Sequence, residues 1–455
     1  MLVDLPDIFS CKIALIGLGY VGLPLAVEFA QQKKCQRTGN VLNRKVIGFD
    51  INIKRINELK DCFDRTSEIS SHRLKSSERL EFTNETFSLS DCDVFIITVP
   101  TPIDIEKRPD LLALEKASSI VGQNIKNRFS KNKKTLPIVI FESTVYPSAT
   151  EDICKPIISE ISSCLLYPEQ SEHGSFGLGY SPERINPGDN KNTLTKIIKV
   201  TSGCNPEIAD WVDNFYGSII TAGTFKAKSI QVAEACKIIE NTQRDLNIAL
   251  VNELAIIFYK LGINTLDVIE AASSKWNFLP FTPGLVGGHC IGIDPYYLTY
   301  KAKLSGYYPD VILAGRRIND GMGFWLAEQL VLKMAQSKLQ IADANVLILG
   351  FSFKENCSDI RNTRVEDVIT SLNSYSINPI IYDPNVITSE AKEEYNIDVK
   401  NVLDENKKYH AIVLAVGHSV FNEWSLEFWK SLIYPDSVLF DLKGKIPDIL
   451  NPTRI

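Results

Sequence analysis

The chain has 455 residues, 44% of them hydrophobic, and a net charge of −6, enough to bury the cores of about two to four domains, of which three are expected. Its scattered Lys and Arg give no footprint for a nucleic acid or an anionic membrane surface, so an anionic small ligand must be held by local groups. MLVDLPDIFS carries acids and a proline instead of a basic, apolar leader, no run approaches a membrane span, and ten cysteines lack a CxxC pair; a cytoplasmic protein with reduced thiols and no metal site is expected.

In chain order, KIALIGL predicts a buried strand, LPLAVEFAQQ a helix, KVIGFD a strand, and DVFIITVP and PIVIFEST two more. This alternation predicts a parallel, doubly wound sheet. Between the first strand and helix, GLGYVG sets Gly17, Gly19 and Gly22, with Tyr20 and Val21, where a tight turn and a helix N-terminus can meet a pyrophosphate. Asp50 ends the next strand and is expected to accept hydrogen bonds from ribose hydroxyls and repel a 2′-phosphate, making NAD the expected cofactor; strand capping is the alternative. Arg55 is a further candidate contact. More residues separate Gly22 from Asp50 than the usual distance of about twenty, and the polar segment 31–45 reads as an extended helix end or surface loop. Thr101 of TVPTP, with Glu142 and Thr144 of ESTV, closes the next two strands at the edge where open sheets bind ligands. These are candidate cofactor contacts, or else loop caps.

Residues 226–261 run without Pro or Gly and keep helical periodicity, predicting one long helix. Glu234, Lys237, Asn241 and Asp245 share one face, while Ile230, Ala233, Ile238, Leu250 and Leu254 are expected to pack. The polar face is either solvated or a partly buried site in which Lys237 and Asn241 polarise an oxygen on a reacting carbon. In the looser LVGGHCIGIDPYYL, Cys290 is a nucleophile, a metal ligand or a buried thiol. A helical stretch through AGRRINDGMGFWLAEQLVLKMAQ follows, and then the strands of ANVLILGFSF, NPIIYDP, HAIVLAV and SVLFDLK. The expected fold is therefore α/β, with two Rossmann-like doubly wound domains joined by a long central helix and a small helical domain. Its expected boundaries are 1–205, 206–325 and 326–455.

GLGYVGLP, TVPTP, ESTVYP, YSPERINPG, KIIEN, GGHCIGIDPYYL and LGFSFKENCSDIRNTR together resemble, in order, the UDP-glucose/GDP-mannose dehydrogenase family. GGHCIGIDPYYL with SKWNFLPFTPGLV looks most like its UDP-N-acetylglucosamine 6-dehydrogenase branch of the Vi-antigen type. The resemblance implies NAD-dependent oxidation of a UDP-2-acetamido sugar at C6, from alcohol to acid, for surface polysaccharide precursors. Cys290 matches the family's nucleophile, which captures the intermediate aldehyde and becomes a thioester. Lys237 and Asn241 would stabilise the oxyanion, Glu183 would activate water, and Asp294 would orient that water or Lys237. Arg184, Lys237, Asn241, Lys354 and Arg361 would contact the UDP-sugar, with Arg364 a weaker candidate; His289 receives no role. A homodimer or higher homo-oligomer across the long helix is expected, with no nucleic-acid or membrane partner. Rival readings are a β-hydroxyacid dehydrogenase, which would make one NADH per substrate, and a non-catalytic nucleotide sensor, which would make none.

Overall fold

The computed structural model describes residues 4–131, 133, 135–185 and 193–454. Asn186 to Gly188 of the YSPERINPG motif lie outside them. The chain divides into two compact units, Met1–Ile239 with Tyr296–Ser305, and Glu240–Pro295 with Gly306–Ile455.

The first unit holds strands β1 (Lys12–Ile16), β2 (Lys45–Phe49), β3 (Leu80–Thr83), β4 (Val94–Ile97), β5 (Ile138–Phe141), β6 (Leu165–Leu166), β7 (Ser175–Tyr180), β8 (Lys199–Gly203) and β9 (Thr224–Lys226). They form one sheet in the order β3-β2-β1-β4-β5-β7-β8-β9, with β6 beside β7. VFII of β4 and IVIF of β5 are buried throughout, as strands covered on both faces must be. Ile13 lies opposite both Val46 and Val94. β7 and β8 pair antiparallel, a departure from the all-parallel sheet the alternation predicts. A helix Pro206–Gly217 covers one face; it starts where Asn205 accepts the Ile208 N–H at 2.9 Å and Pro206 begins the first turn.

Of segment 31–45, Gln31 ends a helix and Lys45 opens β2, and the residues between form a loop whose cations anchor it. Arg37 pairs with Asp213 at 2.8 Å. Arg44, fully buried, donates to the Ile8 carbonyl at 2.6 Å and to Ser218 Oγ at 2.7 Å, and its guanidinium lies 5.0 Å from the centre of the Phe215 ring.

The second unit carries β10 (Val346–Leu349), β11 (Ile380–Tyr382), β12 (Val399–Lys400), β13 (Tyr409–Leu414), β14 (Ile433–Asp441) and β15 (Thr453–Arg454). This sheet is parallel throughout, in the order β12-β11-β10-β13-β14-β15. Its core gathers Val346, Ile348, Val413 and Phe440 with Leu326 and Leu330 of the helix Asp310–Gln336. The long helix spans Ile230–Leu261. It begins four residues later than its periodicity suggests because Thr224–Lys226 pairs with β8 as a strand. Ile230, Ala233 and Ile238 are buried as expected, whereas Leu250 is 55% exposed; periodicity gives the angular position of a side chain but not what covers it. No helix among the described residues is long and apolar enough to cross a membrane.

Candidate active site

The strand order of the first unit's sheet reverses between the parallel neighbours β1 and β4, where open α/β sheets open a ligand crevice beyond their strand ends. Gly17 there has φ +97°, and a side chain on Gly22 would collide with the Gly17 carbonyl and Thr98 Oγ. A side chain on Gly19 would meet nothing within 4 Å, so the turn faces open backbone outward. Val21 begins the helix Gly22–Gln31 without a side-chain cap, which suits an anion on its first N–H groups. Tyr20 and Val21 are partly exposed on this turn. The cradle fits a dinucleotide pyrophosphate.

Asp50 stands at the end of β2, as expected, and ties the turn down by accepting the Leu18 N–H at 2.9 Å. Its other oxygen accepts from Asn52 N–H at 2.9 Å. Arg55 is buried beneath the turn: its Nε donates to the Leu18 carbonyl at 2.9 Å, and its guanidinium faces Asp64 at 2.8 Å. It supports the cradle from below. Thr101 is buried and donates to the Thr144 carbonyl at 2.7 Å, joining the ends of β4 and β5, while Thr144 is partly exposed.

Glu142 is engaged by internal partners. It is buried, one oxygen accepts from Lys199 Nζ at 2.6 Å, and the other accepts from the Tyr216 hydroxyl. Burial, and next the Glu142 charge, push the Tyr216 hydroxyl well above its usual pKa. Lys199 also donates to the Pro182 carbonyl at 3.0 Å, directly before Glu183. Lys199 has no motif around it, and only the fold brings it here.

The polar face of the long helix is buried at Glu234, Lys237, Asn241 and Asp245, which excludes a solvated stripe. Glu234 accepts from the Ser148 and Thr150 N–H groups at 2.6 and 2.9 Å. Lys237 Nζ lies 3.7 Å from Glu183 Oε2, and the other Glu183 oxygen accepts the Ile185 N–H. In the second unit Asn241 donates to Asp294 Oδ2 at 2.6 Å. Asp294, expected to orient water or Lys237, accepts this bond from Asn241. It opens the helix Asp294–Leu304, and its N–H donates to the Cys290 carbonyl at 2.9 Å. Cys290 is partly exposed on the turn just before that helix. Asp245 is spent on Arg316 at 2.6 Å and Asn319 at 2.8 Å. Arg184 donates to the Ile198 carbonyl at 2.7 Å.

The second sheet reverses between β10 and β13, and a pocket opens beyond those strand ends. Lys354, Arg364 and Lys443 line it, with Ser352 and Phe353. Arg361 does not line it and forks onto Asp359 at 2.6 to 3.1 Å. Arg364 does line it, although its guanidinium also meets Asp320 at 2.5 Å and Asp367 at 3.2 Å. Lys443, which sequence reasoning missed, follows the long strand β14. Its Nζ sits 3.5 Å from the Pro283 carbonyl, and burial pulls its pKa down although Glu355 works the other way. A partly buried ammonium with so distant a carbonyl favours an incoming anion.

Residues 11–220 match the NAD binding domain of the UDP-glucose/GDP-mannose dehydrogenase family, 231–321 its central domain and 347–448 its UDP binding domain. The chain belongs to this family. It is 52% identical to a UDP-N-acetyl-D-glucosamine 6-dehydrogenase of Salmonella typhi over 98% of both chains. A Pseudomonas aeruginosa protein of the same name is 51% identical over 98% of this chain and 99% of its own. The fold matches the UDP-D-ManNAc dehydrogenase of Pyrococcus horikoshii with a TM-score of 0.79 and 26% identity, over 96% of each chain. Like other UDP-glucose/GDP-mannose dehydrogenases, the protein is an NAD-dependent nucleotide-sugar dehydrogenase. Its cradle at Gly17–Gly22 belongs to the family's NAD binding domain, and the pocket at Lys354 and Lys443 belongs to its UDP binding domain.

Proposed function

We propose that the substrate is UDP-N-acetylglucosamine, oxidised at C6 to the uronic acid in the cytoplasm for surface polysaccharide precursors. The reading is carried by the near full-length identity with two UDP-N-acetyl-D-glucosamine 6-dehydrogenases. The galacto and manno epimers and UDP-glucose are the alternatives. Residues 1–205 would carry the cofactor, 206–325 the reacting groups and 326–455 the nucleotide, a division supported by the order of the family's three domains.

The Gly17–Gly22 cradle would hold NAD, which would supply the hydride acceptor for two oxidations, one NAD for each. Lys237 and Asn241 would steady the oxygen on C6 as the alcohol becomes an aldehyde, Lys237 through its ammonium and Asn241 through an amide held by Asp294. The Cys290 thiol would add across the aldehyde carbonyl, giving a thiohemiacetal whose oxidation leaves a thioester. Glu183 would then take a proton from water as its oxygen attacks the thioester carbon, releasing the acid and the thiol. The buried approach of Glu183 to Lys237 supports placing both in one site. Thr101, Thr144, Glu142 and Arg55 would shape the cofactor site, Arg55 from beneath the turn. Lys354, Lys443 and Arg364 would hold the diphosphate; for Arg184 and Arg361 the substrate role rests on the family resemblance alone.

Turnover of the four UDP-sugars with NAD tests this reading. UDP-N-acetylglucosamine should give the highest kcat/KM and two NADH per sugar. A preference for another epimer overturns the substrate, and one NADH per sugar overturns the thioester route.

A further inference from the structure

Beneath the pocket of the second unit lies a fully buried cluster that the chemistry above does not use. His418, at the end of β13, places Nε2 2.9 Å from Asp383 Oδ2 at the end of β11. Its Nδ1 accepts the Asn356 backbone N–H at 2.9 Å. That N–H can only donate, so Nδ1 carries the lone pair and Nε2 carries the hydrogen given to Asp383. Asp383 also accepts from the Phe351 and Ser352 N–H groups at 2.7 and 3.0 Å. It is held below its usual pKa: burial works against this, but the His418 hydrogen bond, with those two N–H groups, prevails.

Ser352 Oγ lies 3.4 Å from His418 Nε2, which invites comparison with a nucleophile and its base. The Ser352 hydroxyl donates instead to the Lys354 carbonyl at 2.9 Å and is fully buried, so this is not a nucleophile. The cluster holds both ends of the segment 351–356: Asp383 takes the two N–H groups at its start and His418 the one at its end. Asn356, with φ +54°, is held further by Ser419, whose N–H and hydroxyl both donate to Asn356 Oδ1 at 2.9 Å. Ser352 to Glu355 of this segment line the pocket.

We propose that His418 is a positioning residue for the nucleotide: through Nδ1 it fixes the segment that presents Lys354, while Asp383 fixes its tautomer. This rests on the reading that the pocket holds the UDP moiety. Two replacements separate the ring nitrogens, because an Asn oxygen can stand near Nδ1 and a Gln amide nitrogen near Nε2. His418→Gln should keep the Asp383 partner, lose the Asn356 N–H acceptor, and weaken UDP binding by roughly tenfold, as expected for a buried N–H left unpaired. His418→Asn should restore that acceptor and recover UDP affinity to within about threefold of the parent.

Calorimetry with UDP, run on the full chain alongside NAD titration, supplies the readout, with circular dichroism confirming the fold of each variant. Weakened UDP binding in Gln but not Asn, with NAD affinity unchanged in both, supports the proposal. Unchanged UDP affinity in folded His418→Gln, or equal losses of UDP affinity in both variants, overturns it. Should either variant fail to fold, Asn385→Ala, which removes the amide 3.0 Å from His418 Nδ1, and Ser419→Ala, which removes a donor to Asn356, give the same reading: a selective loss of UDP affinity supports the clamp and no loss overturns it. Lys443→Met tests the underlying reading separately. If UDP affinity survives that change, the pocket is not the nucleotide site, whatever His418 does.

Discussion

Glu234 shows how one buried carboxylate sets a pH dependence. Burial raises its pKa from 4.5 to about 7, against the pull of the Thr150 and Ser148 hydrogen bonds. The folded chain therefore holds a proton there between pH 4.5 and about 7 that the unfolded chain has released, so stability from this group is full below pH 4.5 and lost as pH rises through 7. In urea unfolding, Glu234→Gln should remove that part of the decline while lowering stability by about 1–3 kcal/mol, because its amide opposes one of the two N–H donors. Parallel pH profiles for parent and variant would assign the decline to another group. Glu183→Gln should instead leave both hydride transfers intact and stall at a thioester on Cys290, since glutamine cannot accept a proton from water. Stopped-flow absorbance should show a burst approaching two NADH per site, and intact-mass spectrometry a covalent sugar-nucleotide adduct. Absence of both removes Glu183 from the hydrolysis step.

The irregular stretch between Ser273 and Asp294 gains its order from a side chain on the long helix. Asn252, fully buried, gives Nδ2 to the Gly284 carbonyl at 3.0 Å, takes the Gly284 N–H at 2.9 Å, and is itself held by Asn319 at 2.8 Å. A side-chain amide thus replaces the strand partner this loop lacks. Asn252→Ala should cost about 1–3 kcal/mol for the orphaned Gly284 groups, speed proteolysis within the loop, and lower kcat through Cys290 more than it changes NAD affinity. Cleavage and kcat both matching the parent would show that the loop keeps its shape unaided. At the other end of the chain, Gly22→Ala should abolish tight NAD binding, because the added carbon collides with the Gly17 carbonyl; a parent-like NAD titration would refute that account of the turn.

Along the whole molecule, Val232, Ile239, Leu250, Ile257 and Leu261 of the long helix are 45–64% exposed. Leu250, Ile257 and Leu261, all in the second unit, follow one another at close to whole numbers of helical turns and form one aliphatic seam. A seam of this length left in water favours association, and we propose that a second copy of the chain covers it. Light scattering on the eluting protein should report a dimer, and Leu250→Lys with Ile257→Lys should give a folded monomer. A monomeric parent, or a double variant that remains dimeric, excludes this face.

Features governed by neighbours along the chain are legible in the amino-acid sequence by itself. The Gly17–Gly22 turn, the buried strands and the long helix follow from backbone sterics and apolar periodicity, which act over a few residues. The spacing of Glu234, Lys237, Asn241 and Asp245 likewise places them on one face, and the resemblance to a known family supplies Cys290, Glu183 and Asp294. Partner choice is not legible in this way. Glu142 pairs with Lys199, 57 residues away, Arg361 forks onto Asp359 while Arg364 lines the pocket, and Lys443 arrives there from the end of β14. Whether a charge faces a ligand or an internal partner depends on which distant segment the sheet order sets beside it, because a buried charge must find its counter-charge or hydrogen bonds wherever the fold supplies them.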